Sequence, residues 1–173
     1  MDTREFIVCR TSHLKGFIAH FKDSILPLSA DLKSAIATLY RARGLSAVLR
    51  AVFVNGGPVL DELAERNLKR RQIRFRSVFS NPVVSWLYRK ATRVQCRLIA
   101  AAFDARLEQR PTATIVVFNG YLMPDSILVA VARQRKRPMV FLEKGFFPAT
   151  LQCDANGINH QSSLPRDPAF YRP

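Results

Sequence analysis

Two carboxylates in the last third of the chain, Glu143 and Asp154, are residue types that acid–base or nucleophilic catalysis requires. Glu143 directly follows the apolar run 139–142. Because an unpaired buried carboxylate is costly, it should lie in a salt bridge or in a polar site. Asp154 begins Asp-Ala-Asn-Gly, a sequence typical of a turn, and Gln152 faces the same side of an extended segment. The residues alone leave a structural role and a catalytic role open for both carboxylates.

A strand–helix–strand pattern surrounds Glu143. Residues 114–118 and 139–142 are short apolar runs typical of buried strands, and a helix is predicted from about 124 to 134 between them. Strands joined in this way are parallel, with a right-handed crossover. The predicted fold class is therefore α/β, with a parallel sheet and flanking helices.

The carboxyl ends of these two strands should form the site. Asn119-Gly120 follows the first strand and Glu143 follows the second. Open α/β sheets bind ligands at this edge, and a glycine there permits close backbone approach. The irregular segment that follows should pass over the same edge. We therefore expect Glu143 and Asp154 in one cleft, with Asn119 and Gln152 beside them.

The rest of the chain is predicted to be mainly helical. Residues 6–9 form a short strand, and helices are predicted over 14–25, 31–43, 45–54 and 59–69, with Gly44 ending the second. A longer helix runs from about 82 to 107, and its predicted apolar face consists of Leu87, Ala91, Val94, Leu98 and Ala102.

Positive charge is concentrated in one stretch. The chain has 27 Lys+Arg and 13 Asp+Glu in 173 residues, a formal net charge of +14. Residues 66–97 contain no Asp or Glu, and their basic residues are Arg66, Lys69, Arg70, Arg71, Arg74, Arg76, Arg89, Lys90, Arg93 and Arg97. A cationic surface attracts nucleic acid, acidic lipids or anionic sugars. We expect weak association with anionic membranes, and a solvated helix face is the alternative interpretation.

Several kinds of site and compartment are disfavoured. The sequence contains no G-x-G-x-x-G after a strand, no Walker A lysine motif, no Asp-x-Asp and no G-x-S-x-G. Its three histidines are dispersed, so neither a metal site nor a cofactor is expected. Cys9, Cys96 and Cys153 form no C-x-x-C pair, which favours a reducing compartment. Because no signal-peptide pattern and no apolar run of ~20 residues occur, we expect a cytoplasmic protein that can rest on the inner face of the membrane.

Four short motifs in the last third of the chain resemble a known family. They are Asn-Gly at 119–120, Glu-x-Gly at 143–145, Gln-x-Asp-x-x-Gly-x-Asn at 152–159 and Ser-Leu-Pro at 163–165, with Ser162 just before the last. In this order they resemble the capsule polysaccharide biosynthesis proteins, the bacterial retaining β-Kdo glycosyltransferases, where Kdo is 3-deoxy-D-manno-oct-2-ulosonic acid. The resemblance covers roughly residues 114–171.

The resemblance implies a reaction. The donor would be CMP-Kdo, and the acceptor a glycan or glycolipid at the inner membrane face. Retention of configuration would come from two inversions through a covalent carboxylate adduct. Asp154 matches the position of the nucleophile and Glu143 that of the acid/base. Substrate-binding roles would fall to Gln152, beside Asp154 or the sugar carboxylate, and to Asn119, Gly120, Asn159 and Ser162.

The resemblance also implies an architecture. The family has two Rossmann-like lobes of the GT-B class. The chain stops at Pro173, where the second, nucleotide-binding lobe would begin. We therefore expect residues 1–173 to form a single Rossmann-like lobe that needs a second lobe or a partner chain.

Two other functions remain open on sequence grounds. A basic protein could bind nucleic acid through residues 66–97, and its affinity would then fall steeply with salt concentration. No nucleic-acid-binding motif is visible, which makes this partner less favoured. The other alternative is a non-catalytic scaffold left by truncation.

Overall fold

A computed structural model describes residues 5–9, 14–28, 31–144, 150–157, 162–163, 167 and 169. Strands and helices follow one another along the chain as β1 (Phe6–Val8), α1 (Lys15–His20), β2 (Ile25–Pro27), α2 (Leu32–Phe53), α3 (Pro58–Arg74), α4 (Arg76–Phe79), α5 (Pro82–Gln109), β3 (Thr114–Phe118), α6 (Asp125–Gln134), β4 (Met139–Lys144) and β5 (Leu151–Asp154).

The strands form one sheet in the order β2-β1-β3-β4-β5. β2, β1, β3 and β4 are parallel to their neighbours, and β5 is antiparallel to β4. This is a Rossmann-like α/β fold, as the sequence predicted. The predicted strand–helix–strand unit is confirmed, since β3 and β4 pair from Ile115↔Met139 to Phe118↔Leu142 and α6 connects them.

Sequence reasoning missed two of the strands. The first helix, predicted to reach residue 25, ends at His20, and Ile25–Pro27 instead pairs with β1. Pro27 has no amide hydrogen to donate, which suits an edge strand. Residues 151–154, expected to be extended but irregular, form β5 because β4 offers them an unpaired edge.

Different helices pack against the two faces of the sheet. Because side chains alternate along a strand, Ile115, Val117 and Phe141 share one face and belong to the large core that α2, α5 and α6 also enter. Val116 and Leu142 on the opposite face belong to a smaller core with α1. The larger core therefore lies on the face towards which Asn119, Glu143 and their alternating neighbours are directed.

The helices agree with the sequence prediction at Gly44 and differ from it in α5. The span 32–53 consists of two helices that meet at Gly44, whose φ of 76° and ψ of −178° are not helical, so the predicted helix end at this residue is confirmed. In α5 the predicted apolar face is wrong at its start, because Leu87 and Ala91 are exposed. Leu98 and Ala102 of the predicted face are buried as expected. The observed buried face also includes Thr92, Cys96, Ile99, Phe103 and Leu107. Within the described ranges, no helix is long and apolar enough to cross a bilayer.

Candidate functional site

Asn119 and Glu143 meet at the carboxyl edge of the sheet. The backbone of Asn119 is left-handed, with φ 69°, and its amide donates to the Leu142 carbonyl oxygen at 2.9 Å. Its side chain is held at both ends: Oδ1 accepts from the Tyr121 amide, and Nδ2 donates to Glu143 Oε1, each at 3.3 Å. Topology thus brings together two of the residues that the sequence singled out.

Gly120 packs against the side chain of Phe141 in β4. Its φ is 66°, and a Cβ atom built there would lie 2.9 Å from Cε1 of Phe141. Both its conformation and its surroundings therefore require glycine. The close neighbour of this backbone is the Phe141 ring, and the approach of a ligand to Gly120 stays a prediction.

A cavity of 980 Å³ lies beside this edge, between α3 and α6. Asn119, Gly120 and Tyr121 line it at the end of β3, and the guanidinium of Arg66 lies 4.8 Å from the centre of the Tyr121 ring. Ser126 also lines it, and its hydroxyl is buried and makes no hydrogen bond within the described ranges. The sequence did not single out Arg66, Tyr121 or Ser126 for this role, because only the packing of α3 and α6 brings them together.

The register of β5 decides how far apart the two carboxylates lie. Gln152 pairs directly with Glu143, whereas Asp154 pairs with Phe141, one pleat back from the edge. Paired residues share a face, so all three side chains lie on the same side of the sheet. The expectation that Asp154 reaches the carboxyl edge is wrong: β5 runs antiparallel and carries Asp154 about 6.8 Å towards the middle of the sheet.

Asp154 is buried and accepts four hydrogen bonds. Oδ1 accepts from the amides of Asn156 and Gly157 at 2.7 and 3.1 Å. Oδ2 accepts from the amide and the hydroxyl of Ser163 at 2.7 and 2.6 Å. These donors, chiefly the Ser163 hydroxyl, lower the pKa of Asp154 to about 2. The carboxylate is therefore ionised at neutral pH, and it also anchors the turn that the sequence predicted at this position.

Of the remaining predicted residues, one is described and one is not. Ser162 is half-buried next to Ser163, and Asn159 lies outside the described residues. Arg133 at the end of α6 donates to the Asn156 carbonyl oxygen at 3.3 Å, joining the turn to the helix layer. Among the described residues, no group of three or more His, Cys, Asp or Glu side chains could hold a metal ion.

The fold and site define a class: a Rossmann-like α/β fold with polar side chains at the carboxyl edge of its sheet and a cavity beside them. In sequence, the chain is similar to Protein FixF of Sinorhizobium fredii (strain NBRC 101917 / NGR234), with 33% identity over 172 residues. The match takes in 96% of this chain but 42% of FixF, so the chain spans less than half the length of this relative. No protein-family model matches the chain, and no solved structure gives a significant match. The name FixF states no substrate, so the function has to be argued from the site.

Proposed function

We propose that the chain is one lobe of a retaining glycosyltransferase in capsular polysaccharide or lipopolysaccharide biosynthesis, which moves Kdo from CMP-Kdo to a glycan or glycolipid. The observation that carries the proposal is the arrangement of Glu143, Asn119, Gln152 and Asp154 on one face of the sheet, at or next to its carboxyl edge. This is where open α/β sheets bind ligands. The greater length of FixF fits a protein in which a further lobe completes the enzyme.

The proposed chemistry is a double displacement. In the first step, a carboxylate of the protein forms a bond to the anomeric carbon of Kdo while the bond from that carbon to the CMP phosphate breaks and CMP leaves. In the second step, the acceptor hydroxyl loses its proton to the other carboxylate and attacks the same carbon, which releases the first carboxylate. Each step inverts the anomeric carbon, so the product retains the configuration of the donor.

The geometry of the two carboxylates constrains their roles. Asp154 is ionised, as a nucleophile must be, but each of its oxygens already accepts two hydrogen bonds. Attack from Asp154 therefore requires the Ser163 hydroxyl to move away from Oδ2. Glu143 accepts from Asn119 and is only half-buried, so it is open to an acceptor hydroxyl at the edge. We assign Asp154 as the nucleophile and Glu143 as the acid/base, as the resemblance implies.

The helical hairpin of α3, α4 and α5 is the proposed membrane contact. Its tip exposes large apolar side chains, with Ile73 83% and Trp86 53% exposed, and Val78, Val83 and Leu87 likewise outside the core. Lys69, Arg76 and Lys90 on the same tip make no ion pair within the described ranges. Apolar side chains among unpaired cations suit the interface of an anionic bilayer. A peripheral position at the inner membrane face would bring the lobe to a lipid-linked acceptor.

Trapping the covalent adduct tests the enzyme and the role assignment together. The chain, supplemented with the part of FixF that it does not cover, is incubated with CMP-Kdo, digested with trypsin and analysed by mass spectrometry. Trypsin cleaves after Lys144, so Glu143 and Asp154 fall in different peptides. We expect the Kdo mass on the peptide that begins at residue 145. An adduct on the peptide containing Glu143 would reverse the roles, and Kdo transfer that continues undiminished in both Asp154→Asn and Glu143→Gln would refute the proposal.

A further inference from the structure

A second cavity, of 370 Å³, is lined by helix residues and by the segment that follows β3. One wall is the segment Leu122–Pro124, which follows β3, and the others are the facing sides of α3 and α5. In the strand order, the chain leaves β1 to one side to make β2 and returns on the other side as β3. A reversal of this kind is a topological switch point, where open α/β sheets form their ligand crevices. One wall of the cavity, Leu122–Pro124, therefore follows one of the two strands that flank the switch point.

The charged side chains that line the cavity are all positive. Arg70, Arg71 and Arg74 line it, and no acidic side chain among the described residues does. Elsewhere between α3 and α5, arginines of α5 are paired with acidic residues of α3. Arg89 pairs with Glu65 at 2.8 Å. Arg93 pairs with both Asp61 and Glu65. Acidic partners are thus present on α3 in its first half and absent around the cavity, which leaves three guanidinium groups to attract an anion.

The arginines are partly held in place. The centre of the Phe75 ring lies 5.7 Å from the guanidinium carbon of Arg71 and 5.5 Å from that of Arg74. Cation–π contacts of this kind restrict long side chains, so less entropy is lost when an anion binds. Guanidinium groups bind phosphate oxygens in pairs, with two parallel hydrogen bonds.

The other lining residues add neutral donors and an apolar wall. Tyr88 Oη accepts from Asn67 Nδ2 at 3.3 Å, which leaves the tyrosine hydroxyl hydrogen for a ligand. Ile99, Leu122 and Pro124 supply apolar surface that excludes water and strengthens charge attraction. A volume of 370 Å³ is enough for a phosphate with the sugar or glycerol attached to it.

We propose that this cavity is a binding site for a phosphate ester, recognised by Arg70, Arg71 and Arg74 with the Tyr88 hydroxyl. The phosphate can belong to a soluble molecule or to the headgroup of an anionic lipid, since the chemistry of recognition is the same. The site does not depend on the proposed transferase activity, and its test contains no nucleotide sugar.

The test compares two double variants of the whole chain that remove the same charge from the same end of the hairpin. Arg70→Gln with Arg74→Gln removes two lining residues, whereas Lys69→Gln with Arg76→Gln removes two cations that do not line the cavity. Binding of inorganic phosphate is followed by NMR at constant ionic strength, and binding of phosphatidylglycerol vesicles by co-sedimentation. Circular dichroism checks that each variant is folded.

With inorganic phosphate, we expect the lining variant to lose at least tenfold in affinity and the control variant less than twofold. With vesicles, we expect the control variant to lose affinity as well, because Lys69 and Arg76 belong to the proposed membrane contact, and the lining variant to lose at least tenfold more. If the lining variant loses more affinity for inorganic phosphate than the control variant does, a soluble phosphate is sufficient as a ligand. If this difference is seen only with vesicles, the ligand is the lipid headgroup. Tyr88→Phe, which keeps the charge, should weaken the same arm severalfold. Equal losses in the two double variants would mean a diffuse cationic surface and would overturn the proposal. Failure of the unchanged chain to bind either probe would also overturn it.

Discussion

The side chain of Asn119 donates a hydrogen bond to the carboxylate of Glu143 at 3.3 Å, so the ends of two neighbouring parallel strands are joined through one residue in a left-handed conformation. The left-handed backbone and the side-chain contact occur together at residue 119. Substitution by glycine removes the contact and keeps the backbone conformation.

Substitutions at Asn119 should separate backbone strain from the side-chain contact. Asn119→Gly keeps the left-handed turn at little cost, whereas Asn119→Ala should be about 1–2 kcal/mol less stable than the glycine variant, because a Cβ atom is unfavourable at positive φ. Urea denaturation measures the difference. Both variants lose the bond to Glu143, so both should lower Kdo transfer if Glu143 acts as proposed. Equal stabilities would show that residue 119 is not left-handed in solution.

Gly120→Ala should destabilise the protein more than Gly57→Ala. Both glycines have positive φ, of 66° and 80°, but a Cβ atom meets Phe141 at 2.9 Å in the first and nothing within 4 Å in the second. The second substitution should cost about 1–3 kcal/mol from strain alone, since Gly57 with ψ 168° lies in a region that essentially only glycine adopts. The clash with Phe141 should add about 1–3 kcal/mol to the strain of the first. Thermal unfolding checks this order. Phe141→Leu in the Gly120→Ala background should recover part of the loss, and no recovery would contradict the contact.

Acid should destabilise the protein through Asp154. The pKa of this group is about 2 in the folded protein and about 3.9 when unfolded, so its contribution to stability is fully present above pH 4 and is lost as the pH falls towards 2. Asp154→Asn should be less stable at pH 7 and should lose less stability between pH 4 and 2. Denaturant titrations at several pH values measure both effects. Ser163→Ala removes the largest cause of the low pKa and should give an intermediate profile, and parallel profiles in all three proteins would contradict the assignment.

Two substitutions in α5 distinguish its observed face from the one predicted by sequence. Ile99 is 1% exposed and Leu87 54% exposed. Ile99→Ala should therefore cost about 2–5 kcal/mol, and Leu87→Ala less than about 1 kcal/mol. Chemical denaturation gives both values. A large loss of stability in Leu87→Ala would instead support the apolar face predicted from the sequence.

Membrane association should depend on the tip of the hairpin. Ile73→Ser with Trp86→Ser should reduce binding to vesicles of anionic lipid, since both apolar groups would enter the interface. Leu45→Ser with Leu49→Ser is the matched control, because these side chains are comparably exposed on α2, outside the cationic stretch. High salt should abolish the binding of the unchanged chain. Equal binding to neutral vesicles would remove the electrostatic basis of this contact.

The sequence by itself determined the strand–helix–strand unit, the turn at Asp154 and the concentration of cations in residues 66–97. These features are local: apolar runs of strand length, Asp-Ala-Asn-Gly, and a stretch without acidic residues are all properties of neighbouring positions. Parallel pairing of β3 and β4 then follows from their connection, and it brings Asn119 to Glu143.

Tertiary structure decided the rest. β2 and β5 are short edge strands that exist because a neighbour offers hydrogen bonds, and the register of β5 moves Asp154 back from the edge. The buried face of α5 is set by α2, α3 and α6, which pack against it over different parts of its length. The same packing pairs Arg89 and Arg93 with acids of α3 and leaves Arg70, Arg71 and Arg74 around a cavity. The sequence gives only the total charge of a stretch. The energy of interaction between charges depends on which groups the fold places within a few ångströms of each other.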